Sequence, residues 1–519
     1  MNTARSATGN QPIAARPGSS FTAVTRAFES GAALLGASVV GNGLNYFFML
    51  FLARQLGMEH FGLYALGVTI FNTVLLIAYA GLDTGVIKFV SSFIAQGGEE
   101  DARRVIVVAL VLVTVIGVGA GLGFGLFAAP LSSELYQKPG LELVLQCFAL
   151  AIPFALLGGL MLAALQALHT VRYIVALKYL WEPLGKWLVA GFAIWAGWGI
   201  GGVVLGCAAV FGVTAALAGF ALLRRGYLRL ADVRRLRRKD VHLLAAYAAP
   251  LLAANLFGVI APRADIMMLG YWVTVEDVGV YLAAFQTAAA LALILGAFDV
   301  VFAPMISQAW AAQDRQSLEA QYKMIHRLAF TVTMPLCVLL MLFSGEVLRA
   351  FGSGFSAGGT ILAVLAVGHL ANASSGCANT VLLMSGASRV VLLNTVLYGL
   401  VLMGATAAMI PLWGTLGAAV AASACFVLLN GLRVAEVWRL YRMLPWTPSI
   451  LKPLAAGISM GLMIWLLKPH LDTQVYLPLA LASCGLYLGI LLVARVEDDD
   501  ALILTSWAAR VRTAAGWAR

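Results

Sequence analysis

Three cations, Lys88, Lys186 and Arg263, and four carboxylates, Asp83, Glu182, Asp265 and Asp299, stand inside stretches that are otherwise apolar. A base held away from bulk water suits an anion: arginine grips phosphate oxygens with a planar fork, lysine as a compact point charge. A carboxylate in the same setting serves in ion coupling, in gating, or as a counter-ion. Spacing limits the pairings. Asp83 and Lys88 are five residues apart, about 140° around a helix, so they do not face each other. In Pro262-Arg263-Ala264-Asp265 the two charges are about 200° apart, and each needs its own partner. Glu182 and Lys186 are spaced i, i+4 in the favourable order, so they either neutralise each other or face a cavity separately. Asn42, Asn45, Asn255 and Gln286 add amides suited to sugar hydroxyls or to helix–helix hydrogen bonds.

The elements that carry these residues are membrane spans. With 61% hydrophobic and 11% charged residues, the chain lies far from soluble domains, which are about 25% charged. A span needs about 20 apolar residues. Fourteen candidates follow: 31–53, 64–95, 105–130, 141–166, 175–196, 200–223, 243–272, 279–306, 327–347, 359–384, 390–411, 415–436, 453–470 and 475–495. The fold class is therefore an all-α polytopic membrane protein. If the second span runs inward to Gln96, Lys88 lies ~12 Å and Asp83 ~20 Å from its inner end. Lys88 then either snorkels to headgroups or faces a cavity. Asp83 and its repeat mate Asp299 each follow a glycine, Gly81 and Gly296, where a helix break is expected. Each either accepts freed backbone amides or takes part in proton coupling or gating.

The net charge of +10 does not indicate nucleic acid. With the N-terminus inside, inner loops and tails hold 27 of the 34 Lys and Arg, eight of them at 224–240, and outer loops hold four. This is the positive-inside pattern, and it places both termini in the cytoplasm. The run RRGYLRLADVRRLRRKD is thus an anchor at lipid headgroups. The six cysteines and six histidines lack metal-ligand spacing, no cofactor is implied, and no outer loop is long enough to house a catalytic site. An enzyme is rejected.

The chain repeats itself. Residues 34–57 align without gaps on 251–274, an offset of 217 that also pairs Glu59 with Glu276, Gly62 with Gly279 and Tyr64 with Tyr281. At an offset of 216, GLDTGVIKFVSS matches AFDVVFAPMISQ, pairing Asp83 with Asp299 and Lys88 with Pro304. Six spans per half make the repeats parallel, related by an axis along the membrane normal. The expected organisation is a cytoplasmic disordered tail (1–30), a six-span lobe (31–223), a basic linker (224–242) and a second six-span lobe (243–436). Two more spans (437–495) and a tail (496–519) follow. Facing parallel lobes enclose a central cavity that opens to either side by rocking.

The stretch LARQLGMEHFGLYALGVTIFNTVLLIAYAGLDTGVIKFVSSFIA resembles the N-terminal signature of bacterial polysaccharide flippases, L-G-x-x-x-F/Y-G-x-Y/F followed by G-L-x-x-x-x-x-R/K. ADIMMLGYWVTVEDVGVYLAAFQTA resembles its second-lobe counterpart. These are the Wzx-type O-antigen and exopolysaccharide flippases of the multidrug/oligosaccharidyl-lipid/polysaccharide superfamily. The resemblance implies a V-shaped pair of lobes that moves an undecaprenyl-diphosphate-linked oligosaccharide between leaflets of the bacterial inner membrane. It also implies a base at the position of Lys88, and polysaccharide polymerase and glycosyltransferases as partners. Lys88, Lys186, Arg263 and Asn45 are then the expected substrate-binding residues, and Asp83, Glu182, Asp265 and Asp299 the coupling or gating ones. A lipid II flippase differs in cargo alone. A cation-coupled multidrug antiporter on the same scaffold calls for an acidic cavity.

Overall fold

A computed structural model describes residues 17–168, 170–228, 238–255 and 263–494. Among them the chain is helical, with no strand. In order, the first lobe contains α1 (Pro17–Tyr79), α2 (Leu82–Ala95), α3 (Glu99–Pro130), α4 (Leu141–Ala167), α5 (Glu182–Trp195) and α6 (Gly199–Arg224). The second contains α7 (Arg238–Asn255), α8 (Ala264–Trp272), α9 (Val275–Ala311), α10 (Arg315–Leu342), α11 (Gly359–Ser374), α12 (Ala378–Met384) and α13 (Ser388–Tyr441). Two last helices, α14 (Leu451–Leu467) and α15 (Tyr476–Val493), pack against α10 through Met334, Met460 and Tyr487.

Among the described residues, ten segments are long and apolar enough to cross a membrane. The two longest are each double, turned at Gly57 (φ 75) and Gly414 (φ 57), left-handed positions that glycine alone adopts without strain. With Val171–Trp195 and the pair α7–α8, fourteen spans are accounted for. The protein is multi-pass.

Several expectations need correction. The first helix begins at Pro17 rather than after residue 30; proline suits the opening turn of a helix because its φ is preset and its missing N–H is not needed there. Gly296 breaks nothing: α9 runs unbroken through it, since a single glycine without a competing turn signal is tolerated in a long helix. The break before Asp83 is present, at Ala80 (φ 48) and Gly81 (φ 84). The basic run at 229–237, Pro262 and the tails 1–16 and 495–519 lie outside the described residues.

The repeat register reappears as backbone geometry. Gly197 (φ 73) and Gly414 (φ 57) are 217 residues apart. Gly97 and Gly226, both at φ 75, lie 216 residues before Gln313 and Arg442, both at φ 56. The lobes meet along α1 and α9. Ends poor in Lys and Arg are termed outer, and there the sequence-paired glycines touch. A Cβ on Gly62 would lie 1.9 Å from the Val275 carbonyl oxygen, and one on Gly279 would lie 3.1 Å from the Gly62 nitrogen. Arg54 donates to the Ala350 carbonyl, and Lys138 Nζ to the Val273 carbonyl at 2.7 Å, both across the lobes. Phe61 packs edge-on against Phe355. The outer end is closed.

Candidate functional site

Below that closure, at mid-depth between the lobes, lies a cavity of about 600 Å³. Helical periodicity builds its walls. On α1, Asn42, Asn45, Tyr46 and Met49 share one face, and on α9 so do Leu282, Phe285, Gln286, Ala289 and Leu293. Tyr64, Thr69 and Asn72 line it from the second half of α1, Phe148 from α4, and Cys207 and Phe211 from α6. Among the described residues its charged lining residues are Lys186 and Arg263, and none is a carboxylate.

The helices bearing both cations are fixed by residues that do not line the cavity. Lys186 is on α5, which follows a π-helical turn, Val175–Trp181. Such a turn resets the rotation of the helix after it and is frequent at functional sites. The adjacent Trp187 donates from its indole N–H to the Leu44 carbonyl (3.2 Å) and stacks on Phe51 at 4.9 Å. That ties α5 to α1 and turns Lys186 inward, with its Nζ 5.0 Å from the Phe211 ring centroid. Arg263 is the N-cap of α8 and is exposed to the cavity. Two residues on, Asp265 is only 1% exposed. It accepts the Tyr281 hydroxyl at 2.5 Å and the Ile266 amide at 2.7 Å, fastening α8 to α9. Asp265 thus has its own partners, while Arg263 faces the cavity with its charge still within electrostatic range of Asp265. Tyr46 donates to Thr287 Oγ1 (3.1 Å), whose own proton goes to the Ala283 carbonyl (2.7 Å).

The remaining expected residues fall elsewhere. Lys88 does not line the cavity. It is exposed near the inner end of α2, with its Nζ 4.3 Å from the Tyr247 ring centroid on α7. Packing sets the rotation of α2, and it directs the face bearing Val86 and Val90 into the core, leaving Lys88 to one side. Glu182 and Lys186, despite their spacing, form no ion pair within 4.0 Å, because Lys186 is directed over Phe211. Asp83 makes no helix cap and accepts only a long bond from Thr84 at 3.4 Å. Asp83 and Glu182 both lie within electrostatic range of the Tyr79 hydroxyl, which bonds the Ala155 carbonyl at 2.9 Å. Asp299 accepts the Thr380 hydroxyl at 2.7 Å, inside the second lobe.

Sequence reasoning missed the roles of Trp187 and Arg433. Arg433 falls near the end of the expected span 415–436 and lies within α13, its Nε buried and its charge acting on Asp299, Tyr398 and Glu436. The repeat did flag Tyr281, by pairing it with Tyr64, which lines the cavity.

The chain is similar to the probable low-salt glycan biosynthesis flippase Agl15 of Haloferax volcanii, 23% identical over 341 residues, covering 65% of this chain and 68% of that protein. In fold it is similar to the lipid II flippase MurJ in an inward closed conformation, with a TM-score of 0.69 at 14% identity over 89% of this chain and 98% of that one. It is also similar to an inward-facing multidrug resistance MATE family transporter of the MOP superfamily, with a TM-score of 0.67 at 16% identity over 79% and 98%. The model of the polysaccharide biosynthesis protein family matches residues 28–310, and the chain belongs to that family.

Proposed function

We propose that this protein moves a lipid-linked glycan from the inner to the outer leaflet by alternating access, its cargo an undecaprenyl-diphosphate-linked oligosaccharide repeat unit for polysaccharide assembly. The observation that carries the reading is the cavity between the lobes, lined by Lys186 and Arg263, by amides and hydroxyls, and by no carboxylate. A diphosphate cannot enter hydrocarbon without compensation, and fixed cations in a low-dielectric hollow supply it. Arg263 offers a bidentate fork and Lys186 a point charge, while Asn42, Asn45 and Gln286 suit the sugars. About 600 Å³ is the size of a head-group site, which leaves the prenyl tail in lipid. The reading places the chain in a bacterial inner membrane with both termini in the cytoplasm, which accords with the sequence's partition of Lys and Arg.

An antiporter for organic cations fits this cavity poorly. Two fixed positive charges repel such a cargo, and Asp265 and Asp299 are engaged by Tyr281 and Thr380 outside the lining. The test is transport in reconstituted vesicles of a fluorescent undecaprenyl-diphosphate glycan, with lipid II and a cationic dye as alternative cargoes. Lys186→Ala with Arg263→Ala should lower glycan flipping at least tenfold. An unchanged rate in the double variant removes the diphosphate site, and transport of the dye alone removes the glycan reading.

A further inference from the structure

Two left-handed residues meet in one pocket at the inner end of the second lobe. The turn between α9 and α10 carries Gln313 at φ 56, and α13 ends on Arg442 at φ 56 and ψ 37. That region strains a residue with a Cβ. In the first lobe, 216 residues earlier, Gly97 and Gly226 occupy the same turns, each at φ 75. The second lobe keeps the geometry but replaces both glycines with long polar side chains. Strained positions of this kind cluster at ligand clamps and switch regions. Both residues line the same cavity of about 560 Å³.

The rest of that lining shows what it would hold. Arg315 is a second cation, and its Nη2 donates to the Arg442 carbonyl at 3.4 Å. Trp310 and Tyr441 form an aromatic wall, with ring centroids 5.1 Å apart at 72°. Asp314, the lining carboxylate, is committed as the helix cap of α10, accepting the Ser317 amide at 3.0 Å. Arg315 keeps the rest of its fork beyond that one bond, Arg442 lies 5.1 Å over the Trp438 ring with its N–H edges unspent, and Trp and Tyr beside them are the side chains that settle at headgroup depth. We propose that this pocket binds the phosphate headgroup of an anionic phospholipid of the inner leaflet, with Arg315 and Arg442 on the phosphate oxygens and Gln313 on the headgroup hydroxyls. The lipid clamps together the inner ends of α9, α10 and α13, and the site operates whatever cargo the central cavity carries.

The test is thermal unfolding of the purified full-length chain in lipid-free detergent, with phosphatidylglycerol, phosphatidylcholine or inorganic phosphate added. Phosphatidylglycerol should raise the midpoint by about 3 °C or more, and the other two should not. Without lipid, Arg442→Gly should unfold no earlier than the parent, because glycine relieves the backbone, yet it should lose most of the phosphatidylglycerol shift. An equal response to phosphatidylcholine overturns the proposal, as does a shift retained in Arg442→Gly. An equal response to free phosphate overturns the assignment to lipid. Where Arg442→Gly fails to fold, Arg315→Gln, which leaves the backbone alone, decides in the same way.

Discussion

The outer crossing of α1 and α9 makes a sharp prediction. A Cβ on Gly62 would stand 1.9 Å from the Val275 carbonyl oxygen, where an ordinary C···O contact is about 3.3 Å. The obstacle is backbone, so no side chain can swing aside. Gly62→Ala therefore forces the lobes apart by roughly 1.4 Å at their outer ends. Overpacking of this kind costs about 1–3 kcal/mol, and the outer-closed state bears it whereas an outer-open state does not. At 1.4 kcal/mol per factor of ten, the outer-open population should rise about 5- to 150-fold. Gly279→Ala meets the Met58 carbonyl at 3.0 Å, a milder intrusion, and should fall near or below the lower figure. The assay is labelling of Asn45→Cys, in a chain with its six native cysteines replaced by alanine, by an impermeant thiol reagent from the outer side. Labelling of Gly62→Ala at the parental rate, in folded protein, would show that this crossing does not hold the outer end closed.

Other consequences are simpler to check. Tyr281→Phe leaves the buried Asp265 carboxylate without its hydroxyl donor, and should lower stability by about 1–3 kcal/mol, read as a fall in unfolding temperature. Trp187→Phe removes the indole bond to the Leu44 carbonyl while keeping the ring. It should cost about 1 kcal/mol and slow flipping in vesicles by releasing Lys186 from its inward orientation. Lys88→Ala should leave flipping within about twofold of the parent, because Lys88 stands over Tyr247 and not in the cavity; a tenfold loss would place it on the cargo's route.

Much of the architecture was legible because hydropathy and the repeat are both one-dimensional signals. The pairing of Gly62 with Gly279 came from register alone, and in the fold they are touching glycines. Lys186 and Arg263 were legible as bases stranded in apolar runs, and both line the cavity. Helix rotation was not legible. Lys88 looked equivalent to them in the sequence, but the packing of α2 on α3 and α4 directs Val86 and Val90 inward instead. The supports were invisible for a related reason. Trp187 read as apolar bulk and Tyr281 only as a repeat mate of Tyr64, and their polar tips acquire meaning only when Leu44 and Asp265 arrive from other helices. The i, i+4 spacing of Glu182 and Lys186 left open whether they pair or separate; the lysine's charge acts on the carboxyl, but its head is drawn over Phe211 on α6.

The charge in the cavity bears on how the membrane potential would act on the proposed cargo. A diphosphate carrying two negative charges gains about 2.3 kcal/mol per charge per 100 mV on moving from a negative interior to the outside. That is about 4.6 kcal/mol, or a roughly 2000-fold bias between leaflets, with no coupling ion needed. Lys186 and Arg263 together carry two positive charges, so the loaded cavity is close to neutral, and its reorientation moves little net charge. The potential then acts mainly on the empty cavity, whose two fixed cations are favoured facing inward. A flippase built this way rests with its outer end closed, as the contacts of Gly62, Arg54 and Lys138 hold it, and it opens outward once an anion has cancelled the cavity's charge. Voltage should accordingly change the return of the empty carrier more than the loaded step. Neutralising Arg263 with glutamine should weaken the voltage dependence of turnover as well as cargo binding. A voltage dependence unchanged in Arg263→Gln, measured in vesicles with an imposed potassium diffusion potential, would mean that the cavity's fixed charge does not set the carrier's resting state.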